Sequence, residues 1–184
     1  MPVKNPKILV IDADIARSAG EIDAVRSIPR LCRDFLMEVR SLGHGMAMSP
    51  TIYDEWRKHW SRFASTWYTQ MEKRKRIVRY GYNDNNLENE ALRQEIVERA
   101  RDDGDCDAML KDVHLLEVAL VAENIVTSRD KRVRRLFSHI STHYVDLQEV
   151  VWVDPTDPAE NCIVWLRQGA PPDSNRKLGQ LKPT

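Results

Sequence analysis

Four carboxylates in this chain stand where an apolar run ends or a helix begins. Asp12 closes "KILVID" (7–12), and Glu55 lies in the first turns of the helix that follows "MAMS" (46–49). Asp112 opens an apolar, helix-like run at 112–123, and Asp130 follows the strand-like "NIVTS". In open α/β sheets, sites form outside the carboxyl ends of the strands, so a parallel sheet would bring these four acids to one edge. Carboxylates gathered without cations repel and raise one another's pKa. A hard divalent cation removes the conflict: Mg²⁺ takes carboxylate oxygens while keeping several waters. It can then activate a water and stabilise charge on a phosphate during hydrolysis. Each acid also has a plainer role. Asp112 could cap a helix, Asp130 could favour the dipole of the next one, Asp12 could cap a turn, and Glu55 could be an exposed helix acid. Taken singly the plainer role is the better reading; the coincidence at the strand ends is what speaks for a shared site.

The elements that must position these acids are legible in outline. "KILVID" is a β-branched run without alternation, as suits a strand buried on both faces of a parallel sheet. Residues 27–42 carry Ile28, Leu31, Phe35, Val39 and Leu42 at helical spacing, and Gly43 makes a natural stop. "SPTIYDEW" reads as a helix start, with Ser49 as N-cap and Pro50 at the first helical position. The spacing predicts that this helix runs to about Lys75, with Ile52, Trp56, Trp60, Phe63, Trp67 and Met71 on one stripe. Residues 77–85 read as a loop, 86–103 as a polar helix ending in "DDGD", and "RDKRVRRLF" as a short basic helix. "YVDL" and "VVWV" (150–153) are further strand candidates, and the proline-rich, polar chain from Asp154 onward reads as a loose tail. Strands alternating with helices predict an α/β domain with a mostly parallel sheet.

Three blocks, "ILVIDADI", "SPTIYDE" and "DVHLLEVALVAENIVTSRD", resemble the motifs of the PIN-domain ribonucleases. The first ends a strand on an aspartate, and the second places a glutamate six residues after a strand-ending serine, as Ser49 and Glu55 stand here. The third runs from an aspartate through an apolar helix and a short strand to Ser128-Arg129-Asp130, and its spacing of 18 residues is the most specific feature. The resemblance implies a three-layer α/β/α sandwich over 1–153 with a mostly parallel central sheet. The chain departs from that family in two places: the stretch at about 60–105 is longer than in its compact members and reads as a helical insertion, and the irregular C-terminal extension at 154–184 has no counterpart in it. The resemblance implies metal-dependent, endonucleolytic hydrolysis of RNA, with one or two Mg²⁺ or Mn²⁺ ions held by Asp12, Glu55, Asp112 and Asp130 and supported by Ser128. Asp14, where the family often has Asn or Ser, adds a fifth acid. Asn124 stands near the glycine that commonly makes the helix-to-strand turn, and Asn also tolerates the left-handed conformation.

Charge is balanced overall, at 28 basic and 28 acidic residues, so total charge does not argue for nucleic acid. Locally it is uneven. Segment 56–79 holds eight basic residues and one acid, whereas 83–107 holds nine acids and three arginines. Arg57 begins the basic arm, and Arg129, Lys131 and Arg132 flank Asp130, so both groups are candidates for holding an RNA backbone. The equal alternative is that the basic arm packs against the acidic segment. The aromatic stripe is read as core or dimer packing, and Tyr80 and Tyr82 as the better base-stacking candidates. His114, two residues from Asp112, falls on another helix face and is read as structural. The three cysteines form no disulfide framework or zinc pattern, and no apolar run is long enough to span a membrane, so a reducing cytoplasm is expected. Expected partners are an RNA substrate, a protein inhibitor or antitoxin, and a second copy of the chain. Two rivals remain. One is a non-catalytic RNA- or partner-binding module of the same fold. The other is a haloacid-dehalogenase-type phosphatase built on "DAD" (12–14), whose second acidic pair would have to come from "GDCD" (104–107).

Overall fold

Among the described residues, the strand that leads into Asp12 is the central one of five. The computed structural model describes residues 3–20, 27–83 and 86–181. Its strands are β1 (Ile8–Ile11), β2 (Gly45–Met48), β3 (Ile77–Arg79), β4 (Ile125–Thr127) and β5 (Val151–Val153). They lie in the order β3-β2-β1-β4-β5, and every pairing is parallel. β1, β2, β4 and β5 are almost wholly buried, which is why they read as unbroken apolar runs. The chain builds outward from β1 to β2 and β3, then crosses back to lay β4 on the other side of β1. The point of reversal, between β1 and β4, is where such sheets open a crevice.

Helices cover both faces. α1 (Ala13–Ser18), α2 (Ile28–Leu42), α3 (Pro50–His59) and α4 (Arg62–Lys73) pack on one another, and α8 (Cys162–Arg167) joins α2. α5 (Glu90–Arg99), α6 (Asp103–Val121) and α7 (Lys131–Ile140) form the second layer, α6 lying against β1, β2 and β4. The protein is a three-layer α/β/α sandwich with a parallel sheet. The expected helix starts and stops at 27–43 are present: Ser27 accepts the Arg30 N–H, and Gly43 closes α2 at φ 82°. Asn124 makes the turn into β4 at φ 56°, as its tolerance of that region allows.

Several elements differ from their sequence reading. The helix expected to run from 50 to about 75 breaks at Trp60–Ser61. Trp60 is extended (φ −62°, ψ 143°), and Ser61 caps α4 by accepting the Ala64 N–H. Ser61 is also tied to α1, donating its N–H to Ala16 O and its hydroxyl to Ala19 O. Tertiary anchoring therefore overrides a continuous helical period. Residues 77–79, read as loop, are the edge strand β3; with three residues and one buried side chain they carry almost no pattern. α6 begins nine residues before Asp112, capped by Asp102. The acid-rich "DDGD" belongs to its first turn, where carboxylates favour the helix dipole. "YVDL" contributes to a 3-10 turn (Val145–Glu149) and not to a strand.

The segment after Asp154 is irregular but not loose. Trp165, Leu166, Ala170 and Leu178 are buried, and the Leu178 N–H donates to Val150 O. Arg176 is buried against Glu160, with its guanidinium 5.4 Å from the Trp165 ring centre. The 60–105 stretch is likewise built into the body: it supplies α4, β3 and α5, and Trp67 of α4 is a core residue. The aromatic stripe is consumed in that core. Trp56 and Trp67 are fully buried and donate their indole N–H groups to Ile11 O (2.8 Å) and Leu36 O (2.5 Å). Trp60 and Phe63 pack against them, so the stripe gives no reason for a second copy of the chain. Among the described residues no helix is long and apolar enough to cross a membrane.

Candidate active site

The β1–β4 crevice is organised by one hydroxyl. Ser128, the residue after β4 and almost completely buried, donates to Asp12 Oδ2 at 2.7 Å. The Ser128 hydroxyl in turn accepts the Asp130 N–H at 3.1 Å. The strand pairing continues to this point, with the Asp12 N–H on Thr127 O at 3.0 Å. Asp12 also caps α1, its Oδ1 accepting the Asp14 N–H, and Asp130 caps α7 by accepting the Val133 N–H at 2.8 Å. The plainer capping roles of Asp12 and Asp130 are therefore real, and both carboxylates still line the cleft.

Asp14 stands in the first turn of α1. Its Oδ2 accepts the Arg129 N–H at 3.2 Å, whereas its Oδ1 is buried without a hydrogen-bond partner. Glu55 reaches the cleft from α3 and is met by His114 Nε2 at 3.1 Å. The other imidazole nitrogen faces Lys111 O at 3.0 Å. With a carbonyl facing one nitrogen and a carboxylate the other, this arrangement favours the imidazolium. Burial opposes that charge, but the bond and the charge of Glu55 outweigh it, and the His114 pKa is raised. Burial likewise opposes ionisation of Glu55, and His114 reverses this to lower its pKa. Asp112 reaches the cleft from the middle of α6, so neither the expected helix start nor the cap role applies to it.

Asp12, Asp14, Glu55, Asp112 and Asp130 thus line one cleft of about 570 Å³. Burial and then repulsion from Asp12 push Asp14 up to about 8 and Asp112 up to about 6. Asp12 is raised as well, by burial first and by Glu55 in part, against the lowering effect of Ser128. Arg17, Lys58, Lys111, Arg129 and Lys131 line the same cleft, giving acids and cations together. The donor set is oxygen-rich, mutually repelling and includes an orphaned carboxylate oxygen, which fits a hard divalent cation in chemical type. As the side chains stand, the described residues include no group of three or more His, Cys, Asp or Glu placed to hold a metal ion.

Of the expected backbone-binding residues, Arg129 and Lys131 line the cleft and two do not. Arg57 lies over the Tyr53 ring, and Arg132 pairs with Asp105 at 2.8 Å. The basic arm is not neutralised by the acidic segment: among the described residues no ion pair joins 56–79 to 83–107. Asp105 and Asp107 lie on the early turns of α6 and do not line the cleft, which leaves "DAD" without the second acidic pair a phosphatase of that type needs. Sequence reasoning missed His114 as a member of the site. It does lie on another helix face from Asp112, but its ring extends around the helix to Glu55. Arg17 and Lys111 were also missed, and no local pattern marks them, whereas Lys58 belongs to the basic arm at 56–79 and does line the cleft. Compared with family models, with curated proteins and with solved structures, the chain matches none.

Proposed function

We propose that this cleft hydrolyses phosphodiester bonds of RNA with the help of Mg²⁺ or Mn²⁺. The observation that carries the reading is the convergence of Asp12, Asp14, Glu55, Asp112 and Asp130, from separate elements, on one cation-rimmed cleft at the carboxyl edge of the sheet. The motif resemblance to PIN-domain ribonucleases, carried by four of these same acids and their spacing, agrees with it. Asp12, Glu55, Asp112 and Asp130 are the residues that would hold the ion or ions. A bound ion of this kind supplies a water of lowered pKa and neutralises charge on the phosphate. Ser128 fixes the Asp12 carboxylate, and His114 fixes Glu55 in its ionised form. Lys58, Lys111, Arg17 and Arg129 are placed to hold non-bridging phosphate oxygens. Addition of water across the P–O3′ bond leaves a 5′-phosphate and a 3′-hydroxyl.

A second reading, a binding module that keeps the fold without the chemistry, draws on the occupied state of the acids. Glu55 is engaged by His114 and Asp130 by its helix, and among the described residues no three acids stand close enough to ligate an ion. Calorimetry with Mn²⁺ on wild type and Asp112→Asn, with single-stranded RNA cleavage on the same samples, separates the two. The nuclease reading expects binding and cleavage in wild type and loss of both in the variant. Cleavage that persists in excess chelator would overturn the metal mechanism, and absence of Mn²⁺ binding in wild type would leave the binding module.

A further inference from the structure

The acid cleft is one of three adjoining concavities. The second, about 620 Å³, lies across α6 and shares Lys111 with the acid cleft; His114 lines it while bonded to Glu55 of the first. The third, about 720 Å³, shares Gly81, Tyr82, Asn86 and Leu87 with the second and continues to Tyr80 and Arg79. The shared lining residues set the three hollows in series, as a trough from the acids past the Tyr82 ring to Tyr80, with Lys111 at the first boundary. Each hollow falls in the size range of small-ligand pockets and is large enough for one nucleotide.

The lining has two kinds of surface. Leu87, Leu110 and Val118 give the second hollow an apolar bed, and Tyr82 stands 42 % exposed at the wall it shares with the third. Polar groups face the same space. Ser49 is buried, and its hydroxyl accepts the Ile52 N–H, leaving its own proton for an acceptor. Glu117, 3 % exposed, is saturated by Arg93 and by the Asn89 N–H, so the buried charge is already compensated and does not call for a cationic ligand. An exposed ring, an apolar bed and the hydroxyl and amide groups of Ser49, Thr51 and Asn86 match a nucleobase with its sugar, with Lys111 at the boundary to the acid cleft for the phosphate and Glu88 as the one acid on this wall not paired to Arg93.

We propose that this trough is the track for single-stranded RNA beside the scissile phosphate, with one base stacked on Tyr82. The proposal rests on the nuclease reading for its direction but makes its own demand on binding. Tyr82 is exposed and caps no element, so it can be changed without unfolding the protein.

The test is fluorescence anisotropy with a labelled hexauridylate and with an abasic hexamer of the same backbone. Ca²⁺ replaces Mg²⁺ or Mn²⁺ so that the acids are screened. Wild type, Tyr82→Ala and Tyr82→Phe are compared, and cleavage positions are mapped in parallel with Mn²⁺. Loss of one aromatic stack should weaken hexauridylate binding about tenfold in Tyr82→Ala, while Tyr82→Phe binds as wild type. The abasic hexamer should bind all three proteins alike. Equal hexauridylate affinity in wild type and Tyr82→Ala overturns the track, whether or not RNA is cleaved. Tyr82-dependent binding without any cleavage upholds the track and removes the nuclease reading.

Discussion

Replacing Asp14 by Asn should make the metal-free protein more stable, and increasingly so as the pH rises. Asp14 has one oxygen on the Arg129 N–H and one buried without a partner beside Asp12. Asparagine keeps the acceptor, fits the space and removes a charge. Burial and Asp12 raise the Asp14 pKa from 3.8 to about 8, so the folded protein holds this proton more tightly than the unfolded chain. The stability this confers is complete below the unfolded value and is lost as pH rises through about 8. Each pKa unit corresponds to about 1.4 kcal/mol, which sets a ceiling of roughly 5–6 kcal/mol. Water at the cleft mouth screens part of this, leaving about 2–3 kcal/mol at pH 9. For a chain of this length that is roughly 5–10 °C in Tm. Urea titrations in EDTA at pH 5, 7 and 9 measure it directly. The gap between Asp14→Asn and wild type should open with pH and narrow when Mn²⁺ is added, because a bound cation nearby favours the ionised form of Asp14, which only wild type has. A variant no more stable than wild type at pH 9, or a gap of constant size, would refute the electrostatic account of the cleft.

Two further outcomes follow from other contacts. Ser128→Ala leaves Asp12 Oδ2 and the Asp130 N–H without their shared partner, so it should cost about 1–3 kcal/mol in urea titrations. In the nuclease reading it should also reduce cleavage while Tyr82-dependent RNA binding persists. His44 is fully buried, accepts the Lys7 N–H at Nδ1 and donates from Nε2 to Leu166 O. Burial lowers its pKa, so its contribution is present above the ordinary value near 6.5 and is lost as pH falls below it. The urea midpoint of wild type should drop between pH 7.5 and 5 more steeply than that of His44→Gln; equal slopes would count against this buried neutral imidazole.

Much of the sheet is legible because buried parallel strands are written as short β-branched runs, and "KILVID", "NIVTS" and "VVWV" are such runs. β3 is not, since an edge strand with one buried side chain asks little of its sequence. The break at Ser61 is invisible for a different reason: the helical period continues across it, and the cause lies in α1, more than forty residues away. The tail misleads because proline and polar residues dominate it, while its burial depends on a few large side chains such as Trp165 and Leu178. At the site, the strand-end acids are readable by topology alone. Asp112 is reached by the right inference with the wrong element, for it sits mid-helix and not at a helix start. His114 shows the limit of face arguments, because a long side chain crosses the boundary between two faces of a helix.

The central place of β1 also governs how the chain must be made. Thr127 of β4 donates its hydroxyl to Val10 O of β1, a partner 117 residues earlier. On a ribosome supplying about 5–20 residues per second, the β4-facing edge of β1 stays bare for several seconds or longer after that strand emerges. A bare apolar edge is a template for pairing with another chain. Because Asp12 and Ser128 meet only across the β1–β4 pairing, the acid cleft closes at the same step that covers the bare edge of β1. Appearance of the site would then serve as a clock for burial of the central strand, before β5 is laid on β4.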